Sequence, residues 1–445
     1  MAAEMQTRSS PGGLDFTALA QLQKQAPIGY AIEARIYAEI PSRNFAPSPG
    51  LLQNVEWHSV EGVRIDTWIT SGTNISPYYD PMIAKVIVYQ QESHDKAVES
   101  MLDALTKSKV QGCPTNIQYL AAIVDADAFR KGDTTTAFLT SEAFRFTPCT
   151  IDVISAGTYT TVQDWPARLG VGHGIPEAGP MDSLSFRLAN IIAGNSEGTE
   201  GLEITLIGPE LLFNVSAIIA VTGGTIDITV DGKPADMYTR ILVPAGSKVK
   251  LGSIKAGCRS YLAIRGGLPA IPLYLGSKST TSTLGLGGYQ GRQLAPNDSL
   301  DLDTRSGDWA VKYTPATIPT NLRLDRFFEK DWTLYVMPGP HDEPEFVTAK
   351  GTSSSIMHFV PTNNACFLDR EIIYGTQWQI SHNATRSGYR LRGPRLEWAP
   401  VTEFKESGSH GSNIIDEPYV LGSLNFNGDD AVLLPLVSTP FSLTF

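Results

Sequence analysis

Between Leu202 and Ile264 the chain alternates short apolar runs with turn signals, and this rhythm limits its fold more than any other feature. The runs cover 202–206, 218–222, 226–230, 241–243, 249–251 and 261–264, and Gly-Pro, Gly-Gly, Asp-Gly and Ala-Gly pairs separate them. Regular short strands of this kind build a barrel or a sandwich more readily than a parallel α/β sheet. Asp231-Gly232 falls between two of the strands and is a tight-hairpin signal, because both residues tolerate positive φ.

A helix is predicted just ahead of this β region, in PEAGPMDSLSFRLANIIAGN, residues 176–195. Asp182 is placed to N-cap it, since a short side-chain oxygen accepts a backbone N–H that has no partner within the helix. Leu184, Leu188, Ile191 and Ile192 recur at helical spacing and are expected to share its apolar face. Gly194-Asn195 then closes it with residues that accept a left-handed backbone.

The N-terminal part has another character. Residues 1–28 are polar and turn-rich and are read as a poorly structured leader. Ile32, Ala34 and Ile36 alternate with Glu33, Arg35 and Tyr37 in the period of a strand. Residues 63–69 and 85–89 supply two more strands, and 95–107 a helix with Ala97, Met101 and Leu105 on one face. The expected class is α+β and mostly β: strands with a helix, followed by a β-rich barrel or sandwich.

Composition narrows the functional classes. An apolar fraction of 42% and a charged fraction of 18% over 445 residues suit two or three globular domains. A net charge of −11 without a block of basic residues argues against nucleic acid or an anionic membrane as the main partner. The opening MAAEMQTRSSPGG holds no apolar run suited to a secretory signal, and no stretch approaches the roughly 18 apolar residues of a membrane span. A cytoplasmic location is the expectation. Cys113, Cys149, Cys258 and Cys366 stand alone and are expected to be small buried or half-buried residues. His341, His382 and His410 show neither HExxH nor another short ligand spacing, so no metal site is expected. The glycines from Gly285 to Gly291 either bring backbone amides close to a ligand or simply make turns; no lysine follows them as in a Walker loop.

Several blocks carry a resemblance. GYAIEARIYAE, FAPSPG, GVRIDTW, SPYYDPMIAKVIVY and GCPTNIQYL, in that order between Gly29 and Phe146, resemble the C-terminal domain of biotin carboxylases. Thr160–Asp164, Arg168-Leu169-Gly170 and the 176–195 segment resemble the urea-carboxylase type of carboxyltransferase domain, a family shared with one subunit of bacterial 5-oxoprolinase. Further blocks are Arg265-Gly266-Gly267, LGSKSTTSTLGLGGYQGR, Gly339-Pro340-His341, RSGYRLRGP and SHGSNIIDEPY. The resemblance implies a biotin-carboxylase antiparallel sheet over 29–147, then cyclophilin-like β-barrel lobes over 150–330 and 331–445. It also implies that GTSSSIMHFVPTNNACFLDR interrupts the second lobe near 351–370 and that the lobe stops short at the C-terminus.

What such a relationship implies chemically is carboxyl transfer from carboxybiotin to urea or a related amide, giving allophanate in an ATP- and magnesium-dependent parent reaction. Biotin would ride on a carrier domain, and the ATP-grasp core, the carrier and half of the transferase are expected to lie outside this chain, leaving it inactive alone. Arg64, at the GVR position, inherits contact with biotin; a guanidinium suits a ureido ring gaining negative charge because it is permanently charged and donates in a planar fork. Asn413 is the leading candidate to grip urea, since an amide donates and accepts against its matching edges. Asp182, His341, Arg386 and His410 are the other candidates for holding or deprotonating the acceptor. Two other readings stay open. One is a 5-oxoprolinase-type subunit working with a separate partner, which would not carry residues 29–147. The other is a non-catalytic scaffold that associates with complete carboxylase chains.

Overall fold

The computed structural model describes residues 28–142, 144–168, 175–324, 331–339, 356–357, 373–396, 398, 410–413, 422–428 and 430–434. The chain divides into two compact units, Met1–Phe146 and Thr147–Phe445. Residues 1–27 of the leader, His341 and most of the 351–370 segment, Cys366 included, lie outside the described residues. Mostly β structure with few helices is what the described residues form, as the strand rhythm predicts.

In the first unit, β1 (Tyr30–Tyr37), β2 (Val63–Thr67) and β3 (Met82–Gln90) make an antiparallel sheet with β3 in the middle. Period-two alternation sets its faces: Ala34, Ile36, Val86 and Val88 are buried, while Glu33 and Arg35 face water. Helix α1 (His94–Lys107) packs on β3 and on helix α2 (Ile117–Asp125), and α1 is capped by Ser93, whose hydroxyl accepts Lys96 N–H at 3.2 Å. Ala97, Met101 and Leu105 are buried together as their spacing predicts, joined by Val98 and Ala104. Cys113 lies in this core, and burial pushes its thiol up to about 12, so it acts as inert packing.

The second unit is built on a curled sheet. Its strands are β4 (Thr150–Ser155), β5 (Tyr159–Gln163), β6 (Gly201–Thr205), β7 (Glu210–Phe213), β8 (Ala217–Val230), β9 (Lys233–Ala235), β10 (Arg240–Val243), β11 (Lys248–Ile264) and β12 (Ser299–Asp301). They run in the order β5-β6-β11-β7-β4-β12, with β8 pairing to β11, β9 and β10. Because β11 pairs with β6, β7 and β8 along its length, the sheet folds round one core that includes Ile151, Val162, Ile204, Phe213, Val221 and Leu262. Asp231 and Gly232, at φ 49° and 76°, form the two-residue turn between β8 and β9 that the sequence predicts.

Two expected turns are not turns. The runs 218–222 and 226–230 are one strand, β8, and the runs 249–251 and 261–264 are one strand, β11. The pair Gly223-Gly224 sits at register shifts between β8 and β11. A Cβ on Gly223, which has φ 86°, would stand 2.8 Å from the Arg259 carbonyl oxygen. Glycine here permits a bulge and close backbone approach, which bends two long strands instead of ending them.

Helix α3 (Ser183–Ala193) packs on the outer surface of β8 and β11. Asp182 caps it as predicted, accepting Ser185 N–H at 2.9 Å, and Gly194 closes it at φ 93°. The expected apolar face is only half right. Ile192 is buried, but Leu184 and Ile191 are more than half exposed, and the packed side is Phe186, Ala189, Ile192 and Ala193. The described part of the C-terminal region forms a four-stranded antiparallel sheet, β13 (Gln379–Ile380), β14 (Tyr389–Arg392), β15 (Leu424–Asn427) and β16 (Asp430–Leu433), in the order β13-β14-β16-β15. Trp378, Leu391 and Ala431 centre its core.

The sheet edge carries one titratable feature. Asp152 on β4 accepts Ser299 Oγ at 2.7 Å and Asn214 Nδ2 at 2.9 Å, and Asp301 stands on the neighbouring strand. Burial, and then the charge of Asp152, push Asp301 up from 3.8 to about 6. The folded state therefore binds a proton that the unfolded state has released, and stability falls as pH rises from 3.8 towards 6. That rise corresponds to roughly 3 kcal/mol lost by neutral pH. Asp301→Asn should accordingly raise the melting temperature at neutral pH and lose that advantage on acidification below the raised value. Thermal melts of both proteins across this range check it, and a pH-independent difference would reject the assignment.

Candidate active site

Glu203 is the pivot of a buried polar cluster in the second unit. It lies in the middle of β6 between Leu202 and Ile204, whose side chains enter the core, so strand alternation turns Glu203 to the opposite face. Its register partner on β11 is Tyr261, and Thr205 pairs with Arg259, which brings both β11 side chains beside the carboxylate. Glu203 is 1% exposed. Its Oε2 accepts Met181 N–H at 2.8 Å and the Tyr261 hydroxyl at 3.1 Å. Its Oε1 accepts Arg386 Nη1 and lies 3.6 Å from Arg259 Nε. Burial, reinforced by Glu203 and Asp182, pushes the Tyr261 phenol well above its usual range. A neutral phenol can donate to Glu203 while accepting Asp182 N–H at 2.7 Å.

Arg386 belongs to the loop before β14. Its Nη2 donates to the Gly179 carbonyl, so one guanidinium joins Glu203 to the segment ahead of helix α3. Arg259 reaches the same loop region from the other direction, with Nη1 donating to Tyr389 Oη at 2.8 Å. Burial lowers the affinity of Arg259 for its proton, but Glu203 and neighbouring groups outweigh this and the net shift is upward. Two guanidinium groups thus share one buried carboxylate.

A second cluster lies along β5 and the glycine-rich loop. Asp164 accepts Ser277 Oγ and Ser279 Oγ, each at 2.5 Å, and Lys278 N–H at 2.7 Å. Arg168 is 3% exposed, donates to Thr281 Oγ1 at 2.6 Å and to the Ser279 carbonyl, and stacks on Tyr274. Burial pulls it below the ordinary guanidinium range, against the opposing pull of Asp164. A Cβ on Gly287 or Gly288 would overlap Arg168, Ser279 or Thr280. These loop glycines thus serve close packing of the chain on itself.

The structure brings together two of the sequence-predicted residues. Asp182 and Arg386 meet in the Glu203 network, Asp182 through its backbone N–H and Arg386 through its guanidinium. His410 and Asn413 share a separate turn: Asn413 N–H donates to the His410 carbonyl at 3.0 Å, and His410 Nδ1 lies 2.8 Å from Ser412 Oγ. His410 also meets Trp398 edge-on at 5.8 Å. Arg64 is on the first unit's exposed sheet face, 70% exposed, with Nη2 donating to Asp66 at 3.1 Å. One pairing leaves most of its donors directed to solvent, which suits a ureido ligand. Cys258, expected to be at least half-buried, is exposed, while Cys149 is half-buried and pushed up to about 11, mainly by burial.

Sequence reasoning missed Glu203, Arg259, Tyr261 and Tyr389. The available signal was Glu203 itself, a carboxylate inside an otherwise apolar strand.

Comparison with known proteins places these features in context. The carboxyltransferase domain family, subdomain A and B, matches residues 173–438, and the biotin carboxylase C-terminal domain family matches 33–141. A putative urea carboxylase of Emericella nidulans is 43% identical over 95% of this chain, which spans 32% of that protein. The urea amidolyase of Saccharomyces cerevisiae is 40% identical over 91% of this chain, which spans 21% of it. The crystal structure of the Kluyveromyces lactis urea carboxylase superposes with a TM-score of 0.78 at 35% identity, covering 94% of this chain and 35% of that one. The chain thus spans about a third or less of the relatives it resembles.

Proposed function

We propose, from the premise that this chain belongs to the carboxyltransferase domain family of subdomains A and B, that it serves in biotin-dependent carboxylation of urea to allophanate. The observation that carries this reading is the joint match. Relatives that align across both domains at 40–43% identity are named as a urea carboxylase and a urea amidolyase. A 5-oxoprolinase-type subunit would leave residues 33–141, the biotin carboxylase match, unexplained.

Biotin, when bound on its carrier, supplies the carboxyl group. Arg64 is the residue of this chain proposed to hold its ureido ring, through the planar donors that Asp66 does not occupy. In the second unit, the guanidinium groups of Arg259 and Arg386 beside Glu203 are donors that suit a site orienting a carboxyl group and the oxygen of an amide. Asn413 and His410 are proposed to grip urea and to take its nitrogen proton, and Asp182 to keep the 179–182 segment at the start of helix α3 in place. ATP and magnesium belong to the parent reaction and are assigned no residue here.

The test is transfer of labelled bicarbonate into an acid-labile product, with biotinylated carrier and carboxylase domains added to this chain. Urea should support the transfer and 5-oxoproline should not. Arg386→Ala should lower urea-dependent turnover by about 10- to 100-fold, since small displacements of orienting groups cost that much. Transfer to 5-oxoproline instead of urea would overturn the reading.

A further inference from the structure

We infer that Glu203 is a positioning residue that holds Arg386 and the 179–182 segment as one unit, so that the loop before β14 and the start of helix α3 move only together. This deepens the proposed transfer site and rests on that reading for its catalytic consequence alone. The geometry behind it is specific. Glu203 is buried on a core strand and reaches two distant chain segments at once: the 179–182 segment, through Met181 N–H directly and Asp182 N–H by way of the Tyr261 hydroxyl, and the loop before β14, through the Arg386 guanidinium. Arg386 closes the circuit by donating to the Gly179 carbonyl. Arg259 flanks the carboxylate and holds Tyr389, three residues beyond Arg386.

A carboxylate fixed on a sheet gives both loops one rigid reference. Its two oxygens face different partners, so an amide in its place keeps the shape and loses the charge that binds Arg386. Glu203 is 1% exposed, so these partners are the means by which it would act on a substrate. Its effect on chemistry would therefore appear in turnover more than in substrate affinity.

Hydrogen exchange on the full 445-residue chain tests this directly. Glu203→Gln should speed exchange in both 179–185 and 385–392 by about 10-fold or more, with 150–155 unchanged. Arg386→Lys alters a side chain that is 20% exposed and should speed exchange at Met181 and Asp182 even if the Glu203 variant fails to fold. The double variant should be no worse than Glu203→Gln alone, because both remove the same link. In the urea-dependent assay, Glu203→Gln should lower kcat by about 10-fold with KM nearly unchanged, and Glu203→Asp should recover part of the loss. Unchanged exchange at 385–392 in a folded Glu203→Gln protein, or at Met181 in Arg386→Lys, would overturn the inference. A wild-type chain without urea-dependent transfer would count against the proposed acceptor only, and the exchange data would decide the role of Glu203 by themselves.

Discussion

Glu203→Ala is expected to destabilise the Thr147–Phe445 unit by about 3–5 kcal/mol, the range for removing one partner from a buried ion pair. The carboxylate is 1% exposed, and the side chains of Arg259 and Arg386 are 11% and 20% exposed. Truncation strands both guanidinium groups in a space that water enters poorly, and it also removes the acceptor for Met181 N–H and Tyr261 Oη. Glu203→Gln retains an acceptor of the same shape, so its loss should be clearly smaller than that of alanine. Denaturant unfolding of the three proteins, followed by near-ultraviolet circular dichroism, separates the cases. A loss below about 1 kcal/mol for the alanine variant would mean that the pair behaves like a surface salt bridge.

The second large effect is expected at Phe186, where alanine should cost about 3–5 kcal/mol. Phe186 is 1% exposed and meets the Tyr261 ring edge-on, with centroids 5.9 Å apart, between helix α3 and the curled sheet. Its removal opens a cavity against Tyr261, Ala220 and Ala263, which are themselves buried and have few ways to collapse inward. It also loosens the wall that aims the Tyr261 hydroxyl at Glu203. Leu184→Ala on the same helix is the control: at 56% exposure it should change stability by no more than about 0.5 kcal/mol. Equal losses at the two positions would contradict the orientation of the helix.

These two residues show where the sequence is legible. The helix of 183–193 follows from its caps, because Asp182 and Gly194 act on backbone groups within four residues of themselves. Its orientation does not follow, since the segment has apolar residues on more than one side and Leu184 and Ile191 fit the periodicity as well as Phe186 does. Asp231-Gly232 could be read as a hairpin for the same local reason, as its positive φ values are a property of the pair. Gly223-Gly224 could not, because a glycine pair permits a turn and a bulge equally and only the facing strand selects between them.

The candidate site divides along the same line. Asp182 and Arg386 were visible as unusual residues in recognisable blocks, and the structure joins them. Glu203, which joins them, was hidden in a strand that reads as core, and Arg259 in a run with no motif. Arg64 sits in the GVR block on an exposed strand, where alternation alone predicts a surface side chain.

The amino-acid order by itself determined the α+β, mostly β class, the caps, the tight hairpin and the buried alternation, because each depends on interactions among residues a few positions apart. The tertiary structure alone decided which glycines bend a strand, which side of helix α3 is buried, and that Glu203 meets Arg386 across a separation of 183 residues. Those outcomes depend on cross-strand register and on the choice among competing partners for a buried charge, and both are fixed only when distant segments pack together.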